Sequence, residues 1–242
     1  MRGEPRPRPK FLSAAARRLR ELQRVILMSR WYNSTMCSRY SFTSPAEAVR
    51  QYFDLLGPFR WNFEPMPDLR PTDRAPVVRQ NAEGARELVA LRWWLVPRWA
   101  KEVSQKYTMF NAAGETLSER ASFREPFKTR RCLVPADGFY EWPEIEGKKV
   151  KHWLGLKSGE MFAMAGLWEC AEQLPDGPLE SFTIVTTAAN DLVTRYHPKA
   201  RMPVILDPSA FSAWLDPKTP MNEVQDLIAT YPDEAMAAKR AA

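Results

Sequence analysis

The sequence predicts an α+β fold: a single domain built on a curled, mostly antiparallel β-sheet or barrel with short flanking helices. Two observations carry this. Strand-like segments follow one another with few helical patterns between them, which argues against a doubly wound parallel sheet. The 242 residues also include 21 prolines and nine tryptophans, a composition of rigid loops and large aromatic anchors.

Residues 1–35 stand apart from the rest. Arg2 to Lys10 alternates proline with charge and reads as extended or disordered chain. Residues 11–28 could form a basic amphipathic helix, and the Arg-rich, acid-poor composition resembles a transit peptide. The preferred reading is a basic disordered extension, or a stretch upstream of a translation start at Met36. From 36 to about 230 the chain reads as one catalytic domain, and 231–242 as a loose tail.

Within the domain, Ser44-Pro45-Ala46-Glu47 has the form of a capping box with proline at the first helical position, and Gly57 stops that helix. Residues 58–76 read as a proline-punctuated loop. Residues 77–79 and 87–96 read as strands, the second with Val89, Leu91, Trp93 and Leu95 on one face. Residues 122–129 suggest a short helix. Strands follow over 131–135, 138–142, 152–156, 161–168 and 182–186. Asp207-Pro208 opens a helix through Leu215, and Pro220 another through Ala229.

Composition excludes several kinds of chemistry. No apolar run approaches the roughly 18–20 residues of a membrane span. Three cysteines without a C-x-x-C pair give neither a disulfide scaffold nor a cysteine zinc site. His152 and His197 are the two histidines, too few for a multi-histidine metal centre. A metal or cofactor is therefore not expected, nor a membrane; a cytoplasmic monomer is. The formal net charge of +6 is local: residues 1–35 hold nine Lys/Arg against two Asp/Glu, and the remainder 26 against 27. An anionic partner must then be met by a local groove.

Cys37 follows Met36, so removal of an initiating Met would leave one residue with both a thiol and a free α-amine. Their ordinary pKa values, about 8.5 and about 7.7–8.0, leave part of each nucleophilic near neutral pH. Such a 1,2-aminothiol traps aldehydes: the amine forms an imine, the thiol adds to it, and a thiazolidine closes with intramolecular advantage. A buried, inert cysteine is the alternative, and Cys132 and Cys170, in apolar strand surroundings, fit it better. Glu141, in Gly138-Phe139-Tyr140-Glu141-Trp142, stands between aromatics, where desolvation raises a carboxyl pKa toward general-acid range; it could instead point outward. His197 lies in a polar loop among Arg195, Lys199 and Arg201, as a neutral proton shuttle or a surface residue. His152 reads as structural. Asn111 could orient a nucleophile or make an Asx turn. Arg92 to Lys101 interleaves cations with Trp93, Trp94 and Trp99, as a single-strand stacking platform does, and Lys128, Arg130 and Arg131 form a second basic patch. An inward-packed strand would explain the first tryptophans equally.

Taken together these segments resemble the SOS-response-associated peptidase family, abasic-site processing proteins that crosslink covalently to abasic DNA. The motifs occur in the family's order over 36 to about 215: Met36-Cys37-Ser38-Arg39-Tyr40; Arg70-Pro71-Thr72; Arg92-Trp93-Trp94-Leu95-Val96-Pro97-Arg98-Trp99; Asn111-Ala112 with Glu115-Thr116; Arg131-Cys132-Leu133-Val134-Pro135 running into Gly138 to Trp142; Thr186-Thr187-Ala188-Ala189-Asn190; and His197 with Arg201-Met202-Pro203. The resemblance implies Cys37 as nucleophile, Glu141 as acid–base residue, His197 as a second proton shuttle and Asn111 as positioner of the cysteine. It places Arg39, Pro71, Trp99 and Thr186 against the DNA strand, with Arg98 and Arg201 completing the expected contacts. Three positions depart from the family's pattern: Ala113 stands for an Arg, Trp94 for a Gly, and the His197–Arg201 spacing is two residues longer.

The expected function is thus recognition of abasic sites in single-stranded DNA and their capture as a thiazolidine crosslink, with accompanying lyase activity from the imine. A thiol peptidase of the N-terminal-nucleophile kind, removing its own leader, is the alternative; a non-catalytic single-strand binder is a third.

Overall fold

The computed structural model describes residues 38–56, 64–197 and 199–241. The leader, Cys37, Gly57 and Pro58 lie outside the described residues. Residues 36–242 make one compact unit, with elements β1 (Tyr40–Phe42), α1 (Ala46–Phe53), β2 (Met66–Leu69), β3 (Arg74–Gln80), β4 (Arg86–Trp93), β5 (Asn111–Ala113), α2 (Ala121–Thr129), β6 (Arg131–Ala136), β7 (Gly138–Glu141), β8 (Glu144–Ile145), β9 (Lys148–Lys149), β10 (His152–Leu156), β11 (Phe162–Ala171), β12 (Leu179–Ala188), α3 (Asp191–Thr194), β13 (Arg201–Pro203), β14 (Ile205–Leu206), α4 (Phe211–Leu215), α5 (Met221–Asp226) and β15 (Met236–Arg240).

Five strands close into a barrel in the order β12-β4-β3-β6-β11, because β11 pairs back onto β12 from Gly166 opposite Ile184 to Ala171 opposite Leu179. Closure removes exposed strand edges. Every pairing in the ring is antiparallel except β4 with β12, where Phe182 lies beside Trp93. Strands β5 and β13 add to β12, and β14 to β11. A second, antiparallel sheet runs β15-β10-β7-β1-β2. This is the α+β, barrel-based fold the sequence predicts.

The two sheets meet on aromatics. Trp93 is fully buried, its ring stacked on Phe182 and met edge-on by Tyr40 of β1 at 5.0 Å and by Phe110 at 6.0 Å. Its Nε1 donates to Phe110 O at 2.8 Å, so the indole buries its area without an orphaned donor. Gly138 has a steric reason: a Cβ there would lie 2.2 Å from the Trp153 indole, which crosses it and donates to Ser41 Oγ at 3.2 Å.

Several sequence expectations are corrected. No capping box forms, since the N-cap of α1 is Pro45 and Ser44 Oγ donates to Asp137 Oδ1 at 2.6 Å instead. The helix stops at Asp54, which takes the left-handed φ of 51°, before Gly57. The proline-rich segment contains β2 and the start of β3. Pro67 is on an edge strand, where its missing N–H costs no ladder bond, and its carbonyl accepts from Tyr140 OH at 2.8 Å. The expected loose tail contains β15, paired with β10 from His152–Arg240 to Leu156–Met236. Its Met-Ala-Ala-Lys-Arg sequence has weak strand propensity, and the waiting edge of β10 overrides it.

The second basic patch dissolves as well. Arg131 is 2% exposed and donates to Phe127 O and Lys128 O at 2.7 Å and to Trp214 O and Asp216 O at 2.5 Å. These carbonyls end α2 and α4, so one guanidinium caps two helix C-termini. Arg130 is held by Glu169 at 2.9 Å. No helix among the described residues is long and apolar enough to cross a membrane.

Candidate active site

Antiparallel pairing brings the chain start to Glu141. Tyr40 stands opposite Phe139 and Ser41 opposite Gly138, and Tyr140 N donates to Arg39 O at 2.9 Å. Ser38, the residue after Cys37, comes two residues before the paired Tyr40. Ser38 is buried, and Glu141 is 6% exposed. On the other side of β7, Glu141 pairs with His152 of β10.

Glu141 Oε1 has no hydrogen-bond partner among the described residues, and burial raises its pKa well above the ordinary carboxyl value. His197, 3% exposed, approaches it with Nε2 at 3.9 Å from Oε1. That is too long for a hydrogen bond, and the pair is not an ion pair. Burial first, then Lys199 and Arg201, lower the His197 pKa to about 4. His197 Nδ1 faces the Lys199 N–H at 3.0 Å, and accepting it assigns the neutral ring's proton to Nε2, toward Glu141. An acid favouring its protonated form thus faces an imidazole favouring its neutral form, both side chains being largely withdrawn from water. Such opposed shifts suit proton transfer.

His197 reaches this position because α3 leads into it. Asn190 Oδ1 accepts from Val193 N at 2.8 Å as a true N-cap, and His197 N donates to Val193 O at 2.9 Å. Asn190 Nδ2 donates to Tyr231 O at 2.8 Å and meets Met236 Sδ at 3.3 Å, tying α3 to the C-terminal segment.

The remaining expected site residues fall into separate groups. Asn111 is buried on β5 beside Ile184, and Thr186, fully buried, lies two residues along β12. Arg201 NH2 donates to Thr186 O at 2.8 Å while its guanidinium grips Glu115 at 2.5 and 2.8 Å; Arg201 holds the Glu115 carboxyl below its ordinary pKa. Arg39 is held two-pronged by Asp68 at 2.5 and 2.8 Å, with its guanidinium 5.6 Å from the Trp142 ring. Pro71 is buried, and the following Thr72 has φ 87° with its N–H donating to Trp93 O at 2.6 Å. Arg98 and Trp99 are exposed, Trp99 by 51%. Of the tryptophan strip, Trp93 and Trp94 pack inward instead.

Asp68 and Glu115 were not singled out as site residues. Each grips an arginine 29 or 86 residues away, a separation that leaves no local pattern, and Asp68 also takes Arg70, two residues on, at 2.9 Å. Cys132 is buried, and burial pushes its thiol up; Cys170 is shifted up too, so neither is an activated nucleophile. Among the described residues no cluster of His, Cys, Asp or Glu could hold a metal ion.

Residues 36–241 match the family described as SOS response associated peptidase (SRAP). The chain is 37% identical over 207 residues to the abasic site processing protein YoqW of Bacillus subtilis, covering 84% of this chain and 91% of that protein. It is 30% identical over 227 residues to abasic site processing protein HMCES of Xenopus tropicalis, covering 75% and 66%. Among solved structures, a Bacteroides thetaiotaomicron protein superposes with a TM-score of 0.75 at 26% identity, covering 84% of this chain and 91% of that one. A Bordetella bronchiseptica protein does so with 0.73 at 26% identity, covering 85% and 100%.

Proposed function

The chain belongs to the SOS response associated peptidase (SRAP) family, and from that premise we propose that it processes abasic sites in single-stranded DNA by covalent capture through Cys37. The observation that carries the reading is the buried Glu141–His197 pair, with Glu141 on a strand that pairs with β1 two residues after Ser38. The residue before Ser38 is a cysteine.

The cyclic hemiacetal of the abasic deoxyribose opens first: the C1′–O4′ electron pair goes to O4′, protonated Glu141 supplies the proton there, and the C1′ hydroxyl gives up its proton as it becomes the aldehyde carbonyl. Once Cys37 is N-terminal, its α-amine adds to that carbonyl, and loss of one water from the carbinolamine leaves the imine. The Cys37 sulfur then bonds to the imine carbon while the thiol proton passes to nitrogen, closing the thiazolidine. The net change is aldehyde plus aminothiol to thiazolidine plus water, with no oxidant or reductant. His197, neutral and with Nε2–H toward Glu141, exchanges the proton that resets the acid. Where the imine loses a C2′ proton before sulfur closes, β-elimination breaks the C3′–O bond and gives lyase activity. The family description favours keeping peptidase chemistry as a second reading, in which Cys37 releases the residues before it.

A denaturing gel of protein beginning at Cys37, mixed with uracil-excised oligonucleotides, tests the proposal. A retarded band on single-stranded DNA, little on duplex and none with Cys37→Ala is expected. Equal yield on duplex, or a yield untouched by Cys37→Ala, overturns it. Release of residues 1–36 with no aldehyde adduct would favour the peptidase reading.

A further inference from the structure

His152 is a buried titratable side chain that no step of the crosslinking uses. It stands opposite Glu141 in the β7–β10 ladder, two positions from the Phe139–Leu154 pair. Residues directly opposite in an antiparallel pair share a face of the sheet. Phe139 and Leu154 are fully buried, and Glu141 and His152 are 6% and 9% exposed, so all four face the interior. Glu141 and His197 lie 3.9 Å apart, too far for a hydrogen bond to set the gap. Packing must hold it.

The His152 ring is fixed at two points. Its Nδ1 lies 3.0 Å from Val150 O, and since a carbonyl only accepts, Nδ1 carries the hydrogen and donates it. The ring also meets Tyr196, with centroids 4.8 Å apart and planes at 45°, a spacing of favourable ring pairs. Tyr196 is the residue before His197, and the backbone N–H groups of both donate to Val193 O at 2.9 Å. Displacing the Tyr196 ring therefore displaces the turn that carries His197. His152 thus packs on one half of the pair while its strand is bonded to that of the other.

We infer that His152 is a positioning residue for the Glu141–His197 pair: packed on Tyr196, it holds the His197 turn against the strand of Glu141 and keeps water from the space between. It acts through Tyr196 and not on the reacting atoms. The inference rests on the covalent-capture reading above and names a further residue that shapes the same site.

Imidazole NMR titration of the full chain, without DNA, tests it. Once His152 is replaced, His197 is the one histidine left, so its signal is unambiguous. His152→Phe keeps a ring against Tyr196 and loses the Nδ1 donor; His152→Gln keeps a donor and loses the ring. The His197 value of about 4 comes from burial first, then from Lys199 and Arg201. Glu141 of β7 faces it, and Arg240 of β15 stands opposite His152; the variants leave all of these in place. His152→Gln should admit water and raise the midpoint toward the ordinary 6.5, whereas His152→Phe should keep it near 4. Tyr196→Leu, which removes the ring from the other side, should raise it too, and decides the question if His152→Gln does not fold. In parallel, single-turnover crosslinking by protein beginning at Cys37 should slow by about 10- to 100-fold in His152→Gln at saturating DNA, with affinity unchanged, and stay within about 2-fold in His152→Phe. A midpoint or rate that His152→Gln leaves unmoved, a midpoint that Tyr196→Leu leaves unmoved, or a His152→Phe that behaves like His152→Gln overturns the inference. Midpoints that respond as expected in a protein whose wild type forms no crosslink remove the covalent reading alone; wild-type crosslinking with unmoved midpoints removes the role of His152 alone.

Discussion

His197 Nε2 faces Glu141 Oε1 across 3.9 Å, and burial moves the two groups oppositely, the acid upward and the imidazole down to about 4. Their effects on stability therefore have opposite signs. The unfolded imidazole binds a proton below about 6.5 that the folded one refuses until about 4, so its contribution is complete above 6.5 and lost as pH falls through that window. Glu141 in the folded chain keeps its proton above 4.5, so its contribution is lost as pH rises from there.

Above pH 4.5 the two act in opposite directions in wild type. Glu141→Gln should unmask a fall in stability toward acid, on the order of 3 kcal/mol over the full window to about pH 4. His197→Gln should unmask the reverse slope. Urea midpoints across this range check it, and slopes identical in all three proteins would refute the opposed shifts.

The same pair sets the kinetics. Positioned acid–base groups contribute about 10²–10⁴-fold, so Glu141→Gln should slow crosslinking at least by the lower figure with DNA affinity nearly unchanged. His197→Ala should slow crosslinking less and depress strand cleavage or crosslink reversal more. Single-turnover rates decide; crosslinking at the wild-type rate in Glu141→Gln returns that carboxyl to a structural role.

Arg201 is expected to touch DNA, yet Glu115 already holds two of its nitrogens. Glu115→Gln should leave the hydrogen-bonding shape but release the charge, strengthening strand binding a few-fold. The plot of log affinity against log salt should steepen by about the roughly 0.7 expected for one further single-strand phosphate contact. An unchanged slope would mean that Arg201 stays with Thr186 and contributes no phosphate contact.

Arg131→Met should be strongly destabilising. It strands four carbonyls at two helix ends, and each buried unsatisfied group costs about 1–3 kcal/mol. A loss of about 3 kcal/mol or more in urea unfolding is expected. Arg131→Lys should recover a minor part, since a point charge cannot span the same fork. A near-neutral Arg131→Met would show that the helix ends find other donors.

Trp94 occupies a φ of 143°, a value glycine reaches freely and tryptophan reaches at a cost of about 1–3 kcal/mol. Its ring is 7% exposed and packs on Phe110 at 5.2 Å, a contact whose removal costs about 3–5 kcal/mol. Its Nε1 has no partner among the described residues, a further small penalty relieved on removal. Trp94→Gly should thus lose about 1 kcal/mol net, read from the denaturation midpoint. A gain in stability would mean that strain outweighs the packed ring.

The burial of Glu141 is legible because its aromatic neighbours are adjacent in sequence, and much of the barrel because the apolar runs of β6 and β11 are local too. What was not legible depends on distance along the chain. Glu115 acquires Arg201, and Asp68 gains Arg39 beside its near neighbour Arg70, only when remote strands align. Ser44 fits a capping box locally but is taken by Asp137, 93 residues on. The edge of β10 recruits β15 despite its weak propensity. Arg131 reads as surface charge until two helix ends converge on it.

The pairing of β15 also fixes when the site can exist. Met236–Arg240 buttresses β10, which borders the strand of Glu141, while Tyr231 and Met236 hold Asn190 at the base of the turn carrying His197. Both halves of the pair are braced by one segment, 231–240, that follows every barrel strand in the chain. Synthesis proceeds at about 5–20 residues per second, so a nascent chain with the whole barrel already translated still lacks the brace for several seconds. A chain cut short before Met236 would never acquire it. The Glu141–His197 arrangement thereby depends on a segment that is translated only after all five barrel strands.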